Sequence, residues 1–588
     1  MPNNIAKEDF HIINAHTHIF TKENTPKYLA KQILPWPFYK WLATGFMLRR
    51  IKNYLNRNQN EYSYTGRNKK WKVYKRRKFW TKTPGIMALY NIFLTLVWIV
   101  FGYYLLDLIK PLVVDTLLLG WLCEFSSNWL DAIMPNLRNN WNTILLLSII
   151  VLAFKNVRRT LKKYLWAQLK KALGKDKVEF LLRYINIVRF TSKEKQVSVF
   201  NDLMQQYPEH SKFVILPMDM EYMDAGPVDE SYPEQMTEIL RLKKNHPALA
   251  YPFIFVDPRR IAEQDPKTPF LKFNISNPAD IQLEDCLVKT YIEGNCAGIK
   301  IYPALGYYVF DKELLSLWLY CVQNEIPITT HCSIGPVYYR GKLRDLGKDY
   351  DLHPIFKEVY ENVENEAEDK EMIIGALRLS ELKNKDFQKN FTHPLNYVCL
   401  LHKPLLVQLL EHYDDQDLYT LFGYNNGDIA RDLSQLKINL AHFGSAEQWD
   451  KFLSQDRYKE ANIILNSPEN GLDLKKRVEN RAKLYSLWHY VDWFSIISSM
   501  MLNFDNVYTD ISYTSHDLKY LALLSEILDN PKISKRVLFG TDFYVVSNHK
   551  TEKQYWIDMQ NTLGTKKWNG IASQNPTEFL TSKLPGSL

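Results

Sequence analysis

No C-x-x-C pair occurs among the six cysteines (Cys123, Cys286, Cys296, Cys321, Cys332, Cys399). Neither a thiolate zinc site nor a disulfide framework is indicated, and a reducing compartment suits the chain. Compositional bias is missing too. The 588 residues are 46% hydrophobic, 24% charged and 14% aromatic, which excludes a disordered or collagen-like chain and leaves enough apolar mass for a large core. The first residues, MPNNIAKEDF, lack the positive-then-apolar pattern of a leader, so secretion is not expected. Acidic residues are absent from two stretches, 67–82 and 155–175, which carry nine and eight Lys or Arg respectively.

Those stretches belong to a basic block. Between Lys31 and Arg183 there are 27 Lys+Arg against 7 Asp+Glu, whereas the remainder has 47 against 58. The net charge of +9 therefore hides a block of +20 inside an acidic protein. The block contains two apolar runs, 86–109 (IMALYNIFLTLVWIVFGYYLLDLI) and 141–154 (WNTILLLSIIVLAF). At about 1.5 Å per residue the first is long enough to cross a bilayer core, and the second spans if its flank to 157 contributes and basic side chains snorkel. Basic flanks outside both runs place both ends in the cytoplasm, and Trp80, Trp121, Trp129 and Trp141 lie near the run ends, where aromatic belts sit. The alternative is a soluble apolar cap with a solvated basic face. Nucleic acid is not an expected partner, because the cations abut apolar runs and no binding motif accompanies them.

Outside the block, short apolar runs alternate with helical periodicity. Strands are expected at 10–15, 213–219, 250–256, 297–302, 326–330, 437–441, 507–510 and 536–540, with helical spacing at 313–324. Eight strand–helix units make an α/β fold, a (β/α)8 TIM-type barrel, with the helical, transmembrane-hairpin region as an insertion. The expected division is 1–30 (first strand and loop), 31–185 (insertion) and 186–588 (remainder of the barrel). The segment 335–396, rich in Lys and Glu, reads as a lid or surface insertion after the fifth strand, mostly solvated helix.

Polar residues stand where the strands end. His16 and His18 (NAHTH) follow the first, and i, i+2 spacing puts both imidazoles on one side of a strand. His331 ends ITTH, His442 ends INLAH, Asp510 ends VYTD, Asp542 follows LFGT, and Lys300 lies in GIKIYP. Each alone is as readily structural: a packed histidine, a helix cap, an ion-paired lysine. Together, nitrogen and carboxylate donors without thiolates suit a borderline divalent ion, zinc first, with Mn2+ or Fe2+ as alternatives. Tyr302, Tyr307, Tyr308 and Arg340 follow the fourth and fifth strands, where loops bind substrate in a barrel, and Arg340 suits a carboxylate.

The ordered motifs NAHTH, GIKIYP, ITTH, INLAHFG and LFGTD resemble the amidohydrolase superfamily, in its amidohydrolase-related branch of metal-dependent hydrolases and decarboxylases. The resemblance covers about 8–30 and 190–580 and excludes the basic block. It implies that His16, His18, His331 and Asp542 bind the metal. It further implies that His442 and Asp542 are catalytic and that Lys300 binds substrate or, if carboxylated, bridges two metals. The implied activity is metal-activated water attacking an amide, lactone or ester of a small molecule, and the membrane position of the insertion would give access to an amphiphilic one. The alternatives are decarboxylation on the same site and a non-catalytic membrane-anchored scaffold. The expected location is the inner, cytoplasmic membrane with the barrel facing the cytoplasm, or else the soluble cytoplasm.

Overall fold

The computed structural model describes residues 11–29 and most of 195–588. Between 30 and 194 only scattered residues are described, and 336, 347–351, 357–376, 378, 380–382, 455–468, 480, 518 and 544–549 lie outside the description. The chain divides into two compact units, Met1–Arg49 with Arg183–Leu588, and Arg50–Leu182.

In the first unit eight parallel strands follow one another in chain order: β1 (Ile13–Thr17), β2 (Lys212–Ile215), β3 (Ala250–Phe255), β4 (Gly298–Ile301), β5 (Ile328–His331), β6 (Ile438–Ala441), β7 (Val507–Asp510) and β8 (Val537–Leu538). Each pairs in parallel with the next. The ring is drawn together by main-chain bonds from Ala15 N–H to Phe539 O (2.8 Å) and from Asp542 N–H to His16 O (2.9 Å). Almost every strand residue is buried, as a parallel sheet covered on both faces requires. The sheet is therefore the TIM-type barrel that the alternating pattern predicts.

The covering helices start and stop on local signals. α1 (Gln196–Met204) sets Phe200 edge-on against Phe213. α2 (Tyr232–Asn245) opens on a capping box of Ser231 and Glu234, and Lys243 and Lys244 in its last turn offset its dipole. α3 (Lys312–Gln323) is capped by Asp311, which accepts from Glu313 N–H (3.1 Å), and buries Leu314, Leu315, Leu317 and Trp318. α4 (Asn384–Thr392) follows, and α5 (Trp493–Asn503) is apolar nearly all round and buried from Trp493 through Leu502. α6 (Glu552–Asn569) leads to α7 (Asn575–Leu580), whose Phe579 and Leu580 join Ile13, Ala15, Val214, Leu216, Tyr251, Phe253, Tyr508 and Leu538 in the interior cluster.

One irregularity matters for the site. Asn14 pairs with Phe213 and Thr17 with Ile215, so three steps along β1 span two along β2. Such a bulge re-aims side chains. Ala15 packs in the interior cluster, while His16 and His18, two residues apart on the other side, both reach the site.

Two expectations change. The described part of 335–396 is not a solvated lid: Tyr338, Arg340, His353, Phe356, Leu379, Phe387, Phe391 and Asn396 are all buried. The Lys/Glu composition that suggested solvent lies mostly in 357–376, outside the described residues. The membrane reading also falls largely outside them. Of 86–109 only 87–89, 91, 92 and 95 are described, and of 141–157 none. Among the described residues no helix is long and apolar enough to cross a membrane. In the second unit, Trp71, Tyr74, Phe79, Met87, Leu89 and Ile92 are exposed.

Candidate metal centre

The ends of β1, β4, β5, β6, β7 and β8 bring His16, His18, Lys300, His331, His442, Asp510 and Asp542 into one buried region. At its centre is Asp510, fully buried at the end of β7. Its Oδ2 accepts from His16 Nδ1–H (3.0 Å) and Asn439 Nδ2–H (2.8 Å). Its Oδ1 accepts from the main-chain N–H of His442 (3.1 Å) and Ser512 (3.1 Å), and from the Ser512 hydroxyl. Burial alone would raise this carboxyl. The His16, His442 and Ser512 donors outweigh burial and hold it well below the usual carboxylate range.

That hub fixes a tautomer. With its Nδ1 proton committed to Asp510, His16 presents a lone pair at Nε2. His18 does the same, because its Nδ1–H is held by the Leu216 carbonyl (2.8 Å). The two Nε2 atoms lie 3.3 Å apart, and Asp542 Oδ1 lies 3.9 Å from the first and 3.3 Å from the second. Burial lowers the His16 imidazolium to about 4, against the pull of Asp510. Asp542 is held down to about 2: burial opposes this, but the hydrogen bond to His18 and the neighbouring imidazoles prevail.

Three candidate ligand atoms thus converge. An ion about 2.1 Å from each of two donors at the tetrahedral angle separates them by about 3.4 Å. The observed separations of 3.3, 3.3 and 3.9 Å fit that edge, and the donor set fits a divalent cation. His16, His442 and Asp510 form a second close group.

His331 lines the same cavity but does not join the convergent trio. Its Nδ1 faces His442 Nε2 (3.0 Å), and its Nε2 faces the hydroxyls of Tyr302 (3.2 Å) and Ser333 (3.2 Å). Tyr302 stacks on its ring at 4.1 Å. Burial, then His442, pushes the His331 imidazolium well below its ordinary value. His442 in turn has Nδ1 at 2.9 Å from Ser512 Oγ. Lys300 stands on β4, fully buried, and its Nζ makes no hydrogen bond among the described residues. Burial lowers it to about 8, although Asp510 and Asp542 pull the other way.

The cavity above these groups has a volume of about 160 Å³ and is walled by Phe20, Met218, Met220, Ile334 and Val337, with Tyr302, His18, His331, His442 and Asp542 at its polar end. Its backbone is unusual. His442 (φ 70), Phe443 (φ 44), Ser445 (φ 88), Tyr513 (φ 60) and Asp542 (φ 55) all take positive φ without being glycine. Such strain gathers where side chains must be aimed.

No family model matches the chain, and no curated protein matches it. Among solved structures, 5-carboxyvanillate decarboxylase LigW from Sphingomonas paucimobilis is similar at a TM-score of 0.28 and 10% identity, over 63% of this chain and 78% of that one. A likeness this slight says nothing of the activity.

Tyr302 lines the cavity, as the loop argument expects, but Tyr307, Tyr308 and Arg340 do not. Tyr307 accepts from Tyr302 N–H (2.8 Å), Tyr308 stacks on Phe310, and the Arg340 guanidinium lies 3.5 Å over the Tyr338 ring. Sequence reasoning missed Asn439 and Ser512, the partners that complete the Asp510 hub. Asn439 was findable as the one polar side chain inside the apolar run INLA. Ser512 reads as an ordinary loop serine.

Proposed function

We propose that the chain is a metal-dependent enzyme of the amidohydrolase superfamily, acting at a carbonyl or carboxylate carbon of a small substrate with an apolar body. The observation that carries this is the convergence of two imidazole nitrogens and a carboxylate at the polar end of an apolar cavity. His16, His18 and Asp542 would hold one ion, zinc by donor chemistry, with His331 as the further donor.

A bound divalent ion there supplies an acidified water and an electrophile for a carbonyl oxygen. Asp542 takes the proton of the attacking water and delivers it to the leaving group. His442, its Nδ1 held at Ser512 and its Nε2 3.0 Å from His331 Nδ1, acts as the acid/base group beside the reacting atoms. Phe20, Met218, Met220, Ile334 and Val337 exclude bulk water and hold the apolar part of the substrate, beside Tyr302. Lys300, whose Nζ has no hydrogen bond among the described residues and which feels both carboxylates from behind the cavity wall, adds positive charge that favours an anionic substrate. The reaction so described is hydrolysis of an amide, lactone or ester.

One observation favours decarboxylation as a second reading. The cavity is close in size to the roughly 150 Å³ apolar cavity that takes benzene, so an arylcarboxylate fits. Apolar walls also raise the energy of a carboxylate relative to CO2 and a neutral ring. The basic flanks of 86–109 and 141–157 support attachment of 31–185 to a bilayer, within reach of an amphiphilic substrate. Release of the full chain from membranes by alkaline carbonate alone would refute a membrane-spanning hairpin there and leave at most a peripheral attachment.

The deciding experiment is metal content per chain, beside a His16→Ala/His18→Ala variant, followed by turnover of esters, lactones, amides and arylcarboxylates with CO2 release recorded. One ion per chain, lost in the variant, is expected. Two ions would bring a carboxylated Lys300 into the site. No ion after growth with zinc or manganese would replace the enzyme reading with the scaffold.

A further inference from the structure

Ser445 holds a backbone conformation (φ 88, ψ 160) that glycine alone adopts readily. Everything the main chain does there, glycine would do. The Ser445 N–H donates to His442 O (2.9 Å), and its carbonyl accepts from Gln448 N–H (3.0 Å) and Trp449 N–H (3.2 Å). What glycine lacks is the hydroxyl, and that hydroxyl is idle: Oγ is buried with no hydrogen-bond partner among the described residues. A buried hydroxyl without a partner is destabilising, and so is the backbone that carries it.

The same residue lines the cavity beside His442, Asp542 and Tyr513. Ser333, the other serine on the cavity wall, differs, because its Oγ is taken up by His331 Nε2 (3.2 Å). We infer that the Ser445 hydroxyl, buried in the free chain, turns about its Cα–Cβ bond into this cavity when a molecule binds and donates to a carboxylate or carbonyl oxygen of that molecule. The inference rests on the proposed function for the class of that molecule, and it adds the residue that selects for the oxygen. Apolar walls hold the body of the ligand, and Ser445 rewards an oxygen at one edge of it.

The test uses the full-length, metal-loaded chain with two probes measured by calorimetry: benzoate, which has the oxygens, and toluene, which has none. Ser445→Gly and Ser445→Ala are compared with wild type. Both should bind benzoate about 3- to 10-fold more weakly, as expected for one lost hydrogen bond, and toluene equally well. Ser445→Gly should melt no lower than wild type, since it relieves the strained φ. Benzoate binding unchanged in Ser445→Gly would overturn the inference, as would no benzoate binding by wild type. Equal weakening of benzoate and toluene would also overturn it, by showing that Ser445 only shapes the wall. Metal content read on the same samples keeps the two claims apart: a chain without ion that still binds benzoate through Ser445 refutes the metal reading and leaves this one standing.

Discussion

Asp510→Asn tests the centre at its most informative atom. The carboxylate satisfies five donors at once, three on Oδ1 and two on Oδ2. An amide keeps one acceptor oxygen and turns the other position into a donor. With its oxygen at the Oδ1 place it still serves the His442 and Ser512 N–H groups and the Ser512 hydroxyl. Its NH2 then meets His16 Nδ1 and Asn439 Nδ2, 3.0 and 2.8 Å from where Oδ2 stood. His16 escapes the clash only by moving its proton from Nδ1 to Nε2, the atom 3.3 Å from His18 Nε2. The lone pair that faces the ion is lost, although no proposed ligand has changed. Replacing such an orienting partner costs about 10- to 100-fold in metal affinity, or about 1.4–2.7 kcal/mol. The Asn439 N–H left facing another donor costs the apo fold about 1–3 kcal/mol more. The assay is zinc affinity by competition with a chromophoric chelator at pH 7.5, with the His16 tautomer read from its ring 15N shifts. A folded Asp510→Asn protein that binds zinc within twofold of wild type would refute the reasoning, and so would His16 still protonated at Nδ1.

Two further perturbations act through buried titrating groups. Glu552 is fully buried and pushed up to about 7 by burial, although it accepts from Tyr207 OH (2.7 Å). The unfolded chain loses that proton near 4.5 and the folded chain holds it to about 7, so wild-type stability falls as pH rises through this window. Glu552→Gln keeps the acceptor and removes the titration. It should match wild type near pH 4.5 and exceed it by up to about 3 kcal/mol at pH 8, measured by urea unfolding. His353 runs the other way. Burial lowers it to about 3, while its Nδ1 accepts from the N–H groups of Ile355 (3.2 Å) and Phe356 (2.9 Å). Below the unfolded value of 6.5 the unfolded chain takes up a proton that the folded chain refuses, so stability falls towards acid by up to about 1.4 kcal/mol per pH unit. His353→Gln should flatten that slope by one proton, and an unchanged slope between pH 6 and 4 would exclude His353 as the cause.

Most of the barrel was legible because a parallel strand buried on both faces is a short, unbroken apolar run. The run VYTD begins and ends where β7 does, at Val507 and Asp510. β1 begins three residues later than its apolar run suggests, at Ile13, and it continues through His16 to Thr17. The run 536–540 shortens to Val537–Leu538, since beyond Leu538 the chain turns to β1 and Phe539 O accepts from Ala15 N–H. At the site, donors were legible wherever an imidazole or carboxylate follows such a run. The contacts that set their tautomers were not, because serine, asparagine and a main-chain carbonyl carry no periodic signal.

The strained backbone was equally hidden, since the composition of HFGS and YTS gives no cue to positive φ at Ser445 or Tyr513. What holds that geometry is packing on α5. Phe443 stacks on Phe494 at 4.7 Å, its carbonyl accepts from Trp449 Nε1–H (2.8 Å), and Trp449 meets Phe494 edge-on at 4.9 Å. A side chain at Gly444 would meet Trp493 Cβ at 3.0 Å, so the loop lies against the helix with no room to relax. Thr514 Oγ1–H, from the loop after β7, binds the His442 carbonyl (2.7 Å). The 442–445 turn is therefore clamped from two sides by groups that never touch the cavity. Each positive-φ residue costs about 1–3 kcal/mol, and a rigid aromatic block is the kind of support that sustains such a cost. The apolar face of WFSIISSMM thus does for His442 what Asp510 does for His16. It fixes the direction of a polar group in the free protein, so that this ordering is not drawn from the binding energy of the substrate.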